Sequence, residues 1–263
     1  MTGMNVAVCV KQIPDPAAPG SLHPDTKNLV REGKLILDDS DSYGVEMSLQ
    51  LAEHAGGGEV TLVSMAPHEE TSGLRTALAM GAAKAILVSD PALQGSDALA
   101  TAKVLAAAIG RAQPDLVIAA TESTDGYTGT TPVQVAELLG MPTVTFAKHV
   151  EVADGKVKVD RQTEAGYDEV ECPLPVLVTV TAGVVEPRYP SFKGIQSAKN
   201  KPVESLTAAD VGIEASRVGL AGSQSQVLGF GARSTERRRI LVDNKDGNAH
   251  VKLADFLQEA KLI

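Results

Sequence analysis

The chain has no tryptophan, and aromatic residues make up only 3% of its 263 positions, so any core must be built from aliphatic side chains. It has two cysteines, Cys9 and Cys172, without the spacing of a metal set. The expectation is two reduced thiols in a cytoplasmic protein. No apolar run reaches the roughly 20 residues that span a bilayer, and residues 1–13 lack the charged start and cleavage site of a signal peptide, so no membrane insertion is expected. Positive charge is scarce as well. With 24 Lys and Arg against 33 Asp and Glu, the net charge is −9, which argues against nucleic-acid binding because phosphate contacts need a broad basic face. His23, His54, His68, His149 and His250 are scattered, form no ligand spacing with Cys, Asp or Glu, and read as surface residues. No serine sits in a Gly-x-Ser-x-Gly elbow and neither cysteine has a nearby histidine, so nucleophilic catalysis lacks a signal. The first strand is not followed by Gly-x-Gly-x-x-Gly, and Gly-x-x-x-x-Gly-Lys-Ser/Thr is absent, which speaks against an NAD-type Rossmann site and an ordinary P-loop.

What is present is a 43% hydrophobic chain long enough for one large α/β domain with an arm. Residues 4–10 read as a buried first strand, followed by Lys11 and a proline-rich loop. Residues 29–37 suggest a small hairpin around Glu32-Gly33. Val45, Leu49 and Ala52 mark a helix begun by residues 38–42 and ended by Gly56-Gly57-Gly58. Residues 60–65 form a second core strand, and Leu74, Ala77 and Leu78 a helix stopping at Gly81. A third strand covers 85–88, and Ser96 opens an alanine-rich helix before Pro114. Strands that are apolar throughout and alternate with helices imply a doubly wound, mostly parallel sheet, whose ligands bind at the carboxyl ends of the strands. The loops after Val10, Met65 and Thr121 should therefore converge.

The last of these loops is the most informative. Residues 116–120 are an apolar strand, and Val135, Leu138 and Leu139 recur at helical spacing. Thr131 is the expected N-cap, Pro132 stands at the first helical position, and Gln134 lies where a capping-box side chain reaches back. Ahead of them Gly126 and Gly129 alternate with small hydroxyl residues, a pattern that lets backbone N–H groups approach an anion at a helix N-terminus. An ordinary strand-to-helix turn has the same residues, and both readings stand at this point. Asp38, Asp39 and Asp41 could be a paired-carboxylate site; their place just before a helix favours capping.

After Val144 the pattern changes to alternating strands at 148–152, 156–161, 167–172 and 176–180, which read as antiparallel additions to the sheet, with Asp154-Gly155 as a hairpin turn. Residues 191–199 form a short helix or ordered loop exposing Phe192 and Ile195 beside Lys193 and Lys199. From Val203 hydrophobic mass thins, and a basic run Arg237-Arg238-Arg239 precedes an amphipathic tail through Leu253, Phe256 and Leu257. Residues 1–203 are thus expected to form a nucleotide-binding α/β domain that includes the antiparallel strands, and 204–263 a C-terminal arm whose terminal helix packs on a partner subunit.

Residues 159–179, Val-Asp-Arg-Gln-Thr-Glu-Ala-Gly-Tyr-Asp-Glu-Val-Glu-Cys-Pro-Leu-Pro-Val-Leu-Val-Thr, resemble the signature of the electron transfer flavoprotein beta subunit. Residues 8–11, 75–82, 122–126 and Glu186-Pro187-Arg188-Tyr189 agree with it, so the similarity covers residues 4–213. Ala165 stands where Gly or an acid is usual, and Asp168 where Glu or Gln is usual. The resemblance implies an adenine-nucleotide alpha-hydrolase-like fold and an electron carrier rather than an enzyme. It further implies a heterodimer in which an alpha subunit carries FAD and this chain buries a structural AMP. Electrons would come from acyl-CoA and related dehydrogenases and leave for a membrane quinone oxidoreductase. By matching position the AMP contacts would be Cys9, Asp38, Asp39, Ser40, Asp41 and Met65, followed by Glu122, Ser123, Thr124, Asp125, Gly126, Tyr127, Thr128, Gly129, Thr130, Thr131 and Val133. Cys9 and Met65 would act through their backbone, and the acids would lie near ribose or adenine. The family's recognition loop maps to residues 190–199, with Phe192 as the anchor and Lys193 and Ile195 beside it. Two alternatives accompany this reading: a bifurcating beta subunit with a second FAD in place of AMP, and a universal-stress-type nucleotide-binding regulatory protein.

Overall fold

The computed structural model describes residues 3–31, 33–66, 68–231 and 240–263. In chain order β1 (Val6–Cys9) and β2 (Gln12–Pro14) lead through a long loop to β3 (Leu35–Leu37). There follow α1 (Asp39–His54), β4 (Val60–Ala66), α2 (Ser72–Met80), β5 (Lys84–Ser89), α3 (Ala98–Ala112), β6 (Leu116–Ala120) and α4 (Thr131–Leu139). Next come β7 (Thr143–Ala153), β8 (Lys156–Thr163), β9 (Gly166–Pro173), β10 (Val176–Val180), α5 (Phe192–Ala198), β11 (Val203–Leu206), α6 (Gly219–Gly222) and α7 (Ala249–Glu259).

The main sheet has nine strands in the order β11-β5-β4-β1-β6-β10-β7-β8-β9. Side chains alternate between its two faces. Val8, Leu62, Ile118 and Val178 pack with Val45 and Leu49 of α1 and Leu74 and Leu78 of α2. Ala7, Val63, Val117 and Leu177 pack with Val104 and Ile109 of α3 and Val135 of α4. Covering both faces is what the unbroken apolar strands require, and each fully buried Leu or Ile contributes about 1.5–3 kcal/mol.

Several expectations are corrected. Residues 176–180 are not an antiparallel addition: β10 lies between β6 and β7 and is parallel to both. All five of its residues are buried, as a central strand with two covered faces must be. The antiparallel extension consists of β7, β8 and β9. A bulge at Phe146, whose φ is 59°, turns β7 from its parallel pairing with β10 toward its antiparallel pairing with β8. The hairpin expected at 29–37 does not form as such, and Glu32 lies outside the described residues. Leu35–Leu37 instead pairs with Gln12–Pro14, while Leu29 bridges to Leu22, because Leu35 and Leu37 find burial there. Asp97, not Ser96, caps α3.

Residues up to Leu228 form one compact unit, in which β11 pairs with β5 at the sheet edge. Residues 229–263 form a second unit, and its helix α7 has no buried residue. The run Arg237-Arg238-Arg239 lies outside the described residues.

Candidate functional site

The parallel register sets Cys9 beside Val63 and Ala119, so the loops leaving β1, β4 and β6 emerge at one end of the sheet. Cys9 and Met65 pack against the cluster on the α3–α4 face. Burial, followed by the negative charge of Asp41, pushes the Cys9 thiol up to about 12, so it is inert as a nucleophile near neutrality.

The acidic stretch before α1 divides by direction. Asp38 is fully buried and caps the helix by accepting from the Ser40 N–H at 3.0 Å. Its other oxygen accepts from the Thr124 N–H at 2.7 Å and hydroxyl at 3.1 Å, so one carboxylate both starts α1 and holds the loop after β6. Capping is therefore the role of Asp38. Asp39 faces solvent. Asp41 is buried and accepts from the Lys11 N–H at 2.6 Å. Burial raises its pKa well above the usual carboxylate value, against the opposing hydrogen bond from Lys11.

Across from this cap, Asp125 accepts from Lys11 Nζ at 2.5 Å and from Arg31 Nη2 at 2.5 Å, and Lys11 Nζ also donates to Ser123 Oγ at 3.2 Å. Burial pushes Asp125 upward, but the charges and hydrogen bonds of Lys11 and Arg31 outweigh it and hold the carboxyl below its ordinary value. The fold thus joins the loops after β1 and β6 with the long segment ahead of β3. Sequence reasoning did not select Lys11 or Arg31. Lys11 carries a signal, being the first charged residue after a core strand; Arg31 carries none.

Between Asp125 and α4 the backbone is open. Gly129 has a φ of +63°, and a Cβ there would lie 3.3 Å from Glu122 Oε2. One at Gly126 would meet Ser123 Oγ at 3.2 Å and Lys11 Nζ at 3.7 Å. Thr130, rather than Thr131, is the N-cap of α4, and among the described residues no side chain caps this helix. The Gln134 amide reaches the Thr130 hydroxyl at 3.4 Å instead of closing a capping box on the backbone. Its carbonyl oxygen is buried without a hydrogen-bond partner among the described residues. Uncapped first-turn N–H groups beside a positive-φ glycine are the main-chain donors that this loop offers to a polar ligand. Tyr127, Thr128 and Val133 are exposed around it. Two cavities among the described residues lie elsewhere: one of about 210 Å³ is lined by Leu49, Glu53, Gly58 and Val60, and one of about 270 Å³ by Lys103, Ala106, Leu138 and Arg217.

The second predicted region is α5. Ser191 caps it, accepting from the Gly194 N–H at 3.0 Å, and Phe192 and Ile195 are 79% and 49% exposed. All five histidines are exposed, and no cluster able to hold a metal occurs among the described residues. No helix among them is long and apolar enough to cross a membrane.

A mostly parallel nine-stranded sheet with helices on both faces and polar loops converging at the carboxyl ends of its strands, extended on one side by an antiparallel ribbon, defines a doubly wound α/β protein. The electron transfer flavoprotein domain family matches residues 26–211. The chain is 36% identical to the electron transfer flavoprotein subunit beta of Mycobacterium tuberculosis, covering 98% of this chain and 99% of that one. It is 41% identical to the subunit of the same name from Thermoanaerobacterium thermosaccharolyticum, covering 89% and 90%. It is 37% identical to the caffeyl-CoA reductase-Etf complex subunit CarD of Acetobacterium woodii, covering 86% of each. The chain belongs to the electron transfer flavoprotein family, as a beta subunit. Its role is electron transfer together with an alpha subunit, and the universal-stress-type reading is set aside.

Proposed function

We propose that this chain holds one AMP at the carboxyl end of its sheet and forms a heterodimer with an alpha subunit that carries FAD. The pair takes electrons from acyl-CoA and related dehydrogenases in the cytoplasm and delivers them to a membrane quinone oxidoreductase. The observation that carries the nucleotide reading is the open cradle between Asp125 and α4. There the backbone of Gly126 to Gly129 and the first-turn N–H groups of Thr131 and Val133 would hold the phosphate. Asp39 and Ser40 and the backbone at Cys9 and Met65 would lie toward ribose and adenine, while Asp38 and Asp41 are buried beneath them as supports of the loops. The flavin supplies the redox chemistry across the subunit boundary; this chain binds, orients and docks. Of the expected arm at 204–263, the part beyond Leu228 lies outside the first compact unit and would supply the arm on the partner, a reading supported by α7, whose Leu253 and Phe256 are 53% and 42% exposed.

A bifurcating role with a second FAD in place of AMP is the other reading, favoured by the likeness to a subunit of a caffeyl-CoA reductase-Etf complex. Denaturing the purified heterodimer and quantifying the released nucleotides decides between them. One FAD and one AMP per heterodimer is the expected result; two FAD and no AMP establishes the bifurcating reading.

The docking half of the proposal rests on α5. Burying Phe192 in a partner's pocket is worth about 1.5–3 kcal/mol, suited to a transient complex. Phe192→Ala is expected to raise the KM for the heterodimer as electron acceptor of an acyl-CoA dehydrogenase by about tenfold or more. Flavin and AMP content should be unchanged, and an unaltered KM refutes the assignment.

A further inference from the structure

Helix α5 has only seven residues, far too few to hold its own shape in water, yet it carries the exposed Phe192 and Ile195. Its stability must come from what it rests on. Its residues divide by size: Gly194 and Ala198, four apart and on one face, turn to α2, while Phe192 and Ile195, three apart, face outward. The approach is close. A Cβ at Gly194 would sit 2.5 Å from the Ala79 carbonyl oxygen, and Ala198 is 3% exposed.

The two segments also exchange cations. Arg75 of α2 donates from Nη1 to the carbonyls of Ala198 at 2.7 Å and Lys201 at 2.8 Å, satisfying acceptors left open at the end of α5. Lys201, just beyond α5, donates from Nζ to Leu78 O at 2.8 Å and Ala82 O at 2.7 Å, which does the same for the end of α2. Each segment's carbonyls are met by the other's cation, and each cation sits where a helix dipole favours it. Burial holds Lys201 below the ordinary lysine pKa. The far end of α2 is fixed in turn: Gln12 Oε1 accepts from the Gly73 and Leu74 N–H groups at 2.9 and 3.3 Å, and Gln12 Nε2 donates to Glu70 O at 2.5 Å. Gln12 directly follows Lys11.

We infer that Arg75 and Lys201 form a reciprocal clamp that presents Phe192 and Ile195 as a preformed docking surface for the electron-donating dehydrogenase. Both are positioning residues, since their cationic groups are turned to main-chain carbonyls of this chain; they spare the complex the entropy of ordering α5 at the moment of encounter. This rests on the docking reading of α5 proposed above.

The test uses the intact heterodimer with an acyl-CoA dehydrogenase as donor, comparing Arg75→Met, Gly194→Ala and Phe192→Ala. Gly194→Ala lifts α5 from α2 by the clash with Ala79 and leaves both cations in place, so it stands in if Arg75→Met fails to fold. Both clamp variants are expected to raise KM by about fivefold to tenfold with kcat, FAD content and AMP content unchanged. Amide exchange should accelerate across residues 192–201 and not in the sheet. An unchanged KM in both clamp variants, with Phe192→Ala raising it, overturns the clamp and leaves the docking surface standing. An unchanged KM in all three removes the docking reading and the inference with it. A fall in kcat or in flavin content alongside KM also overturns it, since that marks general damage rather than positioning.

Discussion

Arg188→Met is expected to destabilise the chain by about 3 kcal/mol near neutral pH, the lower end of what breaking a buried ion pair costs, because Arg188 itself is partly exposed. Glu46 in α1 is 2% exposed. It accepts from Arg188 Nε at 2.7 Å and Nη2 at 3.0 Å, from the Arg188 N–H at 3.2 Å, and from Gln50 Nε2 at 2.7 Å. This bidentate grip joins the segment after β10 to α1 and leaves Glu46 few other donors. Glu53, which Arg188 Nη1 also reaches at 2.9 Å, is 61% exposed and adds little.

The pH dependence has a definite sign. Burial pushes Glu46 upward, but the hydrogen bonds and charge of Arg188 and the bond from Gln50 win, so its pKa is lowered from 4.5 in the folded chain. The stabilisation is therefore complete above the unfolded glutamate pKa and is lost as pH falls through the folded value. Thermal melts of the wild type and Arg188→Met should differ most at pH 6–8, by roughly 6–12 °C, and converge as pH drops below about 4.5. Arg188→Met with Glu46→Met should recover much of the loss, because removing both partners leaves no unpaired charge. A difference that stays constant down to acid pH would contradict the assignment.

The second large effect concerns the cradle. Gly129→Val forces a β-branched residue to a φ of +63° and places its side chain against Glu122, which costs about 1–2 kcal/mol in backbone strain alone. The expected outcome is loss of most of the AMP recovered per heterodimer, together with a lower heterodimer melting temperature. Gly140→Val is the control. Gly140 ends α4 at a φ of +65° with nothing within 4 Å of its would-be Cβ, so it incurs a similar backbone cost away from the cradle. Equal AMP content in the two variants would separate Gly129 from the nucleotide.

How much of this was readable beforehand depended on distance along the chain. The strand at 116–120 was legible to the residue, because five apolar positions between Asp115 and Thr121 admit little else. Residues 191–199 read equally as a short helix or an ordered loop, and only the structure shows a helix with Ser191 as its cap; Asp154-Gly155, whose φ values are 52° and 75°, was legible from a local pattern. The cap of α4 lies one residue before the expected Thr131, because Thr130 and Thr131 are equally good caps and only the backbone decides. The composition of β10 announces burial but not neighbours, so its place between β6 and β7 could not be read. The same holds for the ion pairs on Asp125, which join residues 114 and 94 positions apart. Spacing rules see one element at a time, and these contacts exist only after the sheet has assembled.

The position of β10 also matters while the chain is being made. When β6 leaves the ribosome, β1 covers only one of its edges; the other waits until residues 176–180 arrive, after the whole β7–β9 ribbon has been synthesised. For that interval the nascent protein carries an apolar strand edge open to pairing with other chains. The β7–β9 ribbon can therefore join β6 in one sheet only through residues 176–180, which follow it in the chain.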